Sequence, residues 1–268
     1  MPRFCANISM LFRERPFPDR FDAAARCGFT AVEIQFPYDW DARELAGRAR
    51  SAGVEVVQIN LPAGDHAKGD RGIACIPSRT AEFREGVDRA LAYADALGCR
   101  QMNCLAGVAP DGVDETALRD TFVANVSYAA GALARSGRTL LVEPINTRTV
   151  PGFWLNRSAQ ALELIAQAGM TNVLLQFDFF HMEIMEGNLA ATLEANIHRI
   201  GHMQVADVPG RHEPGTGAID FPPLFDQVDR LGYRGWIGAE YMPSAVTEDT
   251  LVWVRRWVDE VPVRLNPW

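Results

Sequence analysis

The sequence predicts a single α/β domain folded as a (β/α)₈ barrel, that is, a TIM barrel, over residues 1–268. Short apolar runs alternate eight times with amphipathic helical stretches, and no linker or change in composition divides the chain. The apolar runs are almost continuously hydrophobic, which is typical of parallel strands that are covered by helices. Eight such units in a chain of 268 residues suit a barrel of this class, which has about 250 residues.

The predicted elements follow one another in strict alternation. The strands cover residues 4–8, 31–36, 54–61, 100–105, 139–145, 173–177, 200–205 and 235–241. The helices cover residues 18–27, 41–53, 79–97, 114–135, 158–168, 188–198, 221–231 and 245–258. A doubly wound open sheet is the alternative, but no GxGxxG motif follows the first strand, where a dinucleotide-binding fold would carry it.

Composition and charge exclude several classes of partner. The net charge is −8, whereas proteins that bind nucleic acid normally present a basic face. No apolar run reaches the roughly 20 residues that a membrane span requires, and the first residues lack the apolar core of a secretory signal. The five cysteines show no CxxC spacing and suit a reducing compartment. We therefore expect a cytoplasmic protein with a small-molecule partner, and a homo-oligomer is compatible with the sequence.

Four consecutive predicted strands end in, or near, an oxygen-bearing side chain. These residues are Glu143, Asp178, Gln204 and Glu240. Burying a carboxylate at the end of an apolar strand costs several kcal/mol unless the group is paired or bound to a metal. Adjacent parallel strands lie about 4.8 Å apart, and TIM barrels carry their active sites at the carboxyl ends of the strands. The four groups can therefore converge on one point.

This set of side chains favours one divalent cation. Three carboxylates alone would repel one another, whereas three carboxylates and an amide oxygen form a hard shell that suits Mg²⁺ or Mn²⁺. Zn²⁺ is less suited because the set contains no histidine or cysteine. Taken singly, each residue is explained as well by a salt bridge or a helix cap; the four together indicate a metal site.

Further candidates lie near the same end of the barrel. His181 follows Asp178 by three residues and is either a structural histidine or a hydrogen-bond donor to a substrate oxygen. Arg211 and Glu213 belong to a glycine-rich loop, and Lys68 and Arg71 belong to another. The first loop is either a solvated turn or a segment that positions Arg211 or Glu213 over the open end of the barrel. The second is either solvated or a lid in which Lys68 and Arg71 hold a substrate carboxylate.

Five segments carry a resemblance to a known family. They are ANISMLF at 6–12, NLPAGD at 60–65, RGIACIP at 71–77, EPIN at 143–146 and EPGTG at 213–217. With these segments the chain resembles the hydroxypyruvate isomerase family, within the xylose-isomerase-like TIM barrel superfamily, along essentially its whole length. The resemblance implies metal ligands at Glu143, Asp178, Gln204 and Glu240, and it implies that Glu143 and Glu240 are also the two catalytic acid/base residues.

The resemblance also implies a reaction. It is the metal-dependent isomerisation of hydroxypyruvate to 2-hydroxy-3-oxopropanoate (tartronate semialdehyde) through an enediolate, within carbohydrate and glyoxylate metabolism. A C4 2-oxo acid such as 2-oxotetronate is an alternative substrate. A keto-sugar 3-epimerase of the same superfamily usually has histidine where this chain has Gln204. An abasic-site endonuclease would need a histidine-rich zinc cluster and a basic face, which five histidines and a net charge of −8 oppose.

Overall fold

Eight parallel strands close into a barrel in chain order in this computed structural model, which describes residues 1–256. Each strand pairs with its sequence neighbours, and the first pairs with the last. The strands are β1 (Arg3–Asn7), β2 (Ala31–Ile34), β3 (Glu55–Asn60), β4 (Gln101–Cys104), β5 (Thr139–Val142), β6 (Val173–Asp178), β7 (Ile200–Val205) and β8 (Trp236–Ala239). The predicted fold class is confirmed, while the assignment of residues 1–268 to one domain stays a prediction.

Helices connect the strands on the outside of the barrel. They are α1 (Arg20–Arg26), α2 (Ala42–Ala52), α3 (Thr80–Leu97), α4 (Glu115–Ala134), α5 (Ser158–Ala168), α6 (Phe179–Met185), α7 (Leu189–Asn196) and α8 (Phe221–Arg230). Short 3-10 helices lie at Phe17–Asp19, His66–Lys68, Pro77–Arg79 and Ile197–Arg199, and a longer one lies at Thr247–Arg256. None of the helices described is long and apolar enough to cross a membrane.

The predicted helices differ from the observed ones at four places. The predicted helix at 188–198 divides into α7 and the 3-10 helix Ile197–Arg199. Helix α6 was not predicted, because its first residues continue the apolar run of β6. The predicted helix at 18–27 divides into a 3-10 turn and α1. A last helix was predicted at 245–258; the structure has a 3-10 helix at Thr247–Arg256, and residues 257 and 258 lie outside the described part.

The inside of the barrel changes character along its axis. A small apolar cluster of Cys5, Ala31, Val57 and Trp236 is separate from the large core that the strands share with the helices. Side chains two residues apart on a strand point to the same side. Asn7 and Glu33 therefore lie on the same side of their strands as Cys5 and Ala31, one step nearer the carboxyl ends. Polar groups thus line the barrel toward the end where the candidate site lies.

Candidate active site

The four predicted strand-end residues all lie at the carboxyl end of the barrel. Asp178 is the last residue of β6 and pairs in register with Gln204 of β7, which in turn pairs with Gly238 of β8. Glu143 and Glu240 each follow directly after a strand. All four side chains are buried, with Glu240 the most exposed at 5%. The structure therefore brings together the residues that the sequence placed at one point.

Local sequence explains where these groups point. Pro144 follows Glu143 and has no N–H to continue the ladder of β5, so the chain leaves the sheet there. Asp178 caps the unpredicted helix α6, because its Oδ1 accepts a hydrogen bond of 2.8 Å from the backbone N–H of Phe180. Its other oxygen, Oδ2, stays free to face the site.

Three carboxylates surround one histidine and one arginine, and we call these five residues the strand-end cluster: Glu143, Asp178, His181, Arg211 and Glu240. Arg211 Nη2 donates to Glu240 Oε1 at 2.6 Å and lies 3.7 Å from Asp178 Oδ2. His181 Nε2 lies 3.4 Å from Asp178 Oδ2 and 4.0 Å from Glu143 Oε1. Among the predicted loop residues, Arg211 is the one that reaches the carboxylates.

Burial raises the pKa values of the three carboxyl groups in the cluster. Desolvation, together with the charge of Asp178, raises the pKa of Glu143 to about 8. Desolvation raises the pKa of Asp178 to about 6 against the opposing effect of Arg211. The pKa of Glu240 is raised well above its usual value, again chiefly by desolvation and also by the neighbouring carboxylates. The pKa values of Glu143 and Asp178 thus lie near neutral pH, where acid/base catalysis needs its groups.

His181 is held as a neutral imidazole in one tautomer. Burial lowers the pKa of His181 well below its usual value. Asn146 lies 2.6 Å away, between its Nδ2 and Nδ1 of His181. The Oδ1 of Asn146 already accepts from the backbone N–H groups of Arg148 and Thr149, so its amide must present N–H groups to His181. Nδ1 of His181 is then the acceptor, and the hydrogen lies on Nε2, facing Asp178 and Glu143.

The carboxylates fit a divalent cation. Asp178 Oδ2 is buried and has no hydrogen-bond partner in the described structure. Donor atoms of Glu143, Asp178 and His181 lie within 4.8 Å of one another. A buried carboxylate oxygen without a partner is costly unless a cation balances it. These buried groups are consistent with a metal site, and their oxygens suit a hard cation.

Gln204 fits the predicted ligand set less directly. Its Nε2 donates to Glu240 Oε2 at 2.5 Å and to Glu33 Oε1 at 2.8 Å, while its Oε1 accepts from Gln176 Nε2 at 2.7 Å. The amide thus turns its nitrogen, rather than its oxygen, toward the carboxylates. A ligand role for Gln204 stays a prediction, and it would require this amide to rotate.

Glu33 is a buried carboxylate that the sequence analysis missed. It lies in β2 with 0% exposure and accepts hydrogen bonds from Asn7 and Gln204, and His202 Nε2 lies 2.5 Å from its Oε2. Burial alone would raise its pKa, but the charge and hydrogen bond of His202 and the two amide donors outweigh burial and lower the pKa. A charged residue within the apolar run 31–34 was the available signal, but it lies outside strands five to eight.

The loop after β7 is built to hold Arg211. The buried carboxylate of Asp207 accepts hydrogen bonds from the backbone N–H groups of Gly215, Gly217 and Ile219. A side chain at Gly217 would overlap the carbonyl oxygen of Val208, so glycine is required there. Arg211 itself has a φ of 57° and is fixed through backbone hydrogen bonds to Asp207 and Met242. Its guanidinium carbon lies 5.3 Å from the ring centroid of Phe180.

The other predicted loop residues lie outside the strand-end cluster. Glu213 accepts from the backbone N–H and the hydroxyl of Ser244, and so it ties two loops together. Lys68 pairs with Asp65 at 3.2 Å and has 81% of its side chain exposed. Arg71 Nη1 donates to the backbone oxygen of Asp70 at 2.7 Å. Their roles in binding substrate stay predictions.

Comparison with known proteins assigns the class of the protein. A family model described as Xylose isomerase-like TIM barrel matches residues 21–257. Hydroxypyruvate isomerase of Escherichia coli is 48% identical over 254 residues, which cover 95% of this chain and 98% of that protein. The 2-oxo-tetronate isomerase of Cupriavidus necator is 45% identical over 258 residues, covering 96% and 99% of the two chains.

Solved structures agree with this fold. A crystal structure of an AP endonuclease, family 2, from Brucella melitensis has a TM-score of 0.94 and 44% identity, covering 97% of this chain and all of that one. A 3-keto-D-glucoside 4-epimerase of E. coli has a TM-score of 0.80 at 22% identity, with 96% and 99% covered, and shares the fold. The chain is therefore an isomerase that belongs to the hydroxypyruvate isomerase family, within the xylose isomerase-like TIM barrel superfamily.

Proposed function

We propose that this isomerase interconverts hydroxypyruvate and 2-hydroxy-3-oxopropanoate, with 2-oxotetronate as the alternative substrate. One observation carries the proposal: Glu143 and Glu240 are buried carboxylates on two sides of Asp178, and both have raised pKa values. Relatives named for each substrate have similar identity to this chain, 48% and 45%. We choose hydroxypyruvate, the C3 acid, because the hydroxypyruvate isomerase is the more similar of these two relatives.

The reaction moves two hydrogens and needs no external oxidant or reductant. In hydroxypyruvate, carbon 3 carries a hydroxyl group and lies next to the carbonyl of carbon 2. One of the two glutamates, Glu143 or Glu240, takes a proton from carbon 3, which leaves an enediolate across carbons 2 and 3. The other glutamate delivers a proton to carbon 2, and the hydroxyl proton of oxygen 3 moves to oxygen 2. Carbon 3 then becomes the aldehyde of the product.

The cation in this proposal is Mg²⁺ or Mn²⁺ in preference to Zn²⁺. Glu143, Asp178 and Glu240 would hold it. Gln204, the fourth predicted ligand, could join them only by giving up the hydrogen bonds that its amide donates to Glu33 and Glu240. A divalent cation there would make the C–H bond of the substrate more acidic and would stabilise the charge of the enediolate. The hydrogen on His181 Nε2 leaves that nitrogen no lone pair for a metal, so the ligands are oxygens.

Two neighbours of the carboxylates position the substrate in this proposal. The Nε2–H of His181 points toward Asp178 and Glu143, where it can donate to a substrate oxygen. Arg211 is a half-buried cation at the mouth of the site, and its forked donors match a carboxylate. We assign the substrate carboxylate to Arg211 and leave Lys68, Arg71 and Glu213 as weaker candidates on the surrounding loops.

Two other functions use the same scaffold and are less well supported. Two epimerases of similar structure are 22% and 25% identical to this chain, so they support the shared fold more than a shared reaction. DNA cleavage, named for the Brucella melitensis protein, is opposed by the net charge of −8 and by a strand-end cluster with one histidine. All five cysteines are free, which supports our proposal of a reducing, cytoplasmic location.

Proton NMR of product formation tests this proposal. The purified enzyme is given hydroxypyruvate, 2-oxotetronate or a free ketose at equal concentration. Mg²⁺ is present throughout, or Mn²⁺ is used and removed before the spectra are recorded. We expect the aldehyde product of hydroxypyruvate to form fastest, and Glu143→Gln serves as the inactive control. Faster conversion of the C4 acid would move the assignment to 2-oxotetronate, and faster epimerisation of a ketose would overturn it.

A further inference from the structure

Two amide groups connect Glu33 to Glu240. Asn7 Nδ2 donates to Glu33 Oε1 at 2.8 Å and to Glu240 Oε2 at 2.7 Å. Gln204 Nε2 donates to the same two oxygens, at 2.8 Å and 2.5 Å. A primary amide has two N–H groups, so each amide gives one to either carboxylate. The two carboxylates are thereby joined through two parallel bridges inside the barrel.

Neither amide group can rotate by 180° without losing other hydrogen bonds. Asn7 Oδ1 accepts from the backbone N–H groups of Ser9 and Met10. Gln204 Oε1 accepts from Gln176 Nε2. A flipped amide would also aim its oxygen at two carboxylates. The orientation of both NH₂ groups is therefore set by contacts on either side.

Glu33 is also held through its second carboxylate oxygen, Oε2. His202 Nε2 lies 2.5 Å from Glu33 Oε2, and Cys5 Sγ lies 3.6 Å from the same oxygen. A side chain at Gly238 would overlap the carboxylate of Glu33, so β8 leaves room for it two residues before Glu240. Each oxygen of the buried carboxylate thus has two polar neighbours, Asn7 and Gln204 at Oε1 and His202 and Cys5 at Oε2.

We propose that Glu33 is a positioning residue for Glu240, a role that rests on the proposed function of Glu240 as a proton carrier. Glu33, backed by His202, orients the amides of Asn7 and Gln204 so that both donate to Oε2 of Glu240. The second oxygen, Oε1, faces Arg211 and Gln35, at 2.6 Å and 3.1 Å, both of which are more exposed. Oε2 is the fixed oxygen, and Oε1 is the oxygen that works on the substrate.

The test compares Glu33→Gln with wild type on whichever acid the wild-type enzyme converts best. The variant keeps the shape of Glu33 but loses its charge and replaces one of its two acceptor oxygens with an NH₂ group. This group must face either the amides of Asn7 and Gln204 or His202, so that one set of donors loses its acceptor. We expect kcat to fall about 10- to 100-fold, as for other residues that orient catalytic groups. KM should change by less than about threefold, because the lost interaction acts in the transition state. The isotope effect on kcat for substrate deuterated at carbon 3 should increase.

Two further variants separate positioning from general support of the fold. Glu33→Asp keeps the acceptor and should lose less kcat than Glu33→Gln. Val57→Ala shortens a buried side chain in the small apolar cluster next to Cys5 and should keep kcat within about twofold, since Val57 has no polar group that could take part in either bridge. If Glu33→Gln does not fold, Asn7→Ser cuts one bridge while its hydroxyl can still accept from the backbone, and it should show the same fall in kcat.

The outcomes are distinct. An unchanged kcat and isotope effect in folded Glu33→Gln, or in Asn7→Ser, would overturn the positioning role and leave the proposed function intact. An equal loss in Val57→Ala would also overturn it, because the effect would then be one of packing. Full activity of Glu240→Gln would instead remove the proposed function of Glu240, and this inference with it.

Discussion

Glu33 and the pair Glu143 and Asp178 are equally buried inside one barrel, yet their pKa values shift in opposite directions. Glu33 is surrounded by donors from Asn7, His202 and Gln204, and its pKa is lowered. One carboxylate oxygen of Asp178 has no hydrogen-bond partner within the described residues, and burial raises the pKa of Asp178 to about 6. Burial alone therefore does not decide the ionisation of a carboxylate; the supply of donors and neighbouring charges does.

Glu240 combines features of both kinds of carboxylate. It accepts hydrogen bonds from Asn7, Gln35, Gln204 and Arg211, as a structural carboxylate would. Its pKa is nevertheless raised, because burial and the charges of Glu33, Glu143 and Asp178 act together. The comparison thus predicts strong functional effects at the strand-end cluster, a smaller one at Glu33, and weak effects on the outer loops.

The largest effect is expected for Glu143→Gln and Glu240→Gln. Each change removes a group that transfers a proton, so kcat should fall about 10²- to 10⁴-fold, more than for Glu33→Gln. The circular dichroism spectrum should stay that of the wild type. Steady-state kinetics on the preferred acid measures the loss, and near-normal turnover in either variant would contradict the acid/base pair.

Metal removal is expected to have the next largest effect. Dialysis against a chelator should lower activity by at least about 100-fold, since the cation would supply several kcal/mol of charge stabilisation, and Mg²⁺ or Mn²⁺ should restore it. As a measure independent of activity, Mn²⁺ should raise the melting temperature of the wild type and fail to do so for Asp178→Asn. Full activity in the chelated enzyme would show that the carboxylates work without a metal.

The sequence was sufficient for the barrel and for the carboxylates at its carboxyl end. Both follow from patterns that repeat along the chain: eight apolar runs, and an oxygen-bearing residue after four of them. Parallel pairing then brings residues such as Asp178 and Gln204 into register, whatever the loops do. Helix α6 escaped prediction because the run Phe179–Met182 has the hydrophobicity of a buried strand.

The hydrogen-bond donors that set the ionisation of each buried carboxyl could not be predicted from such repeating patterns. Asn7 and Glu240 are separated by 233 positions in the sequence, and Glu33 meets His202 only because the barrel closes. The orientation of the Gln204 amide depends on three partners from three strands, so a spacing rule cannot give it. Arg211 was a candidate among four loop residues, and the contact that distinguishes it, with Glu240 29 positions away, forms only when the barrel brings the two loops together.

The free energy of unfolding of the chelated protein, measured at a series of pH values, tests the comparison between Glu33 and Glu143. A carboxyl whose pKa is raised in the folded state favours folding below the unfolded pKa of 4.5, and that contribution is lost as the pH rises to about 8. In urea unfolding, Glu143→Gln should therefore become more stable relative to wild type from pH 5 to 8. The free-energy gap should grow by up to about 1.4 kcal/mol per pH unit and level off above pH 8.

Glu33→Gln should show the opposite dependence. Because the pKa of Glu33 is lowered in the folded protein, its carboxylate stabilises the fold above the unfolded pKa, and that contribution is lost as the pH falls through the folded pKa. The variant should be less stable than wild type at pH 7, and the gap should shrink on acidification. Parallel pH profiles for the two variants would contradict the distinction between the two kinds of carboxylate.

The last comparison is between two loop cations, Arg211 within the strand-end cluster and Lys68 outside it, and it tests how far the site extends. Arg211→Gln should raise KM about tenfold, because a forked donor to the substrate carboxylate is lost at a half-buried position. Lys68→Met should change KM by less than about twofold, since its ammonium group is exposed and paired with Asp65. Initial rates over a range of substrate concentrations measure both. A larger effect from Lys68 than from Arg211 would show that the loop at 64–72 closes over the substrate and that its lysine, rather than Arg211, holds the carboxylate.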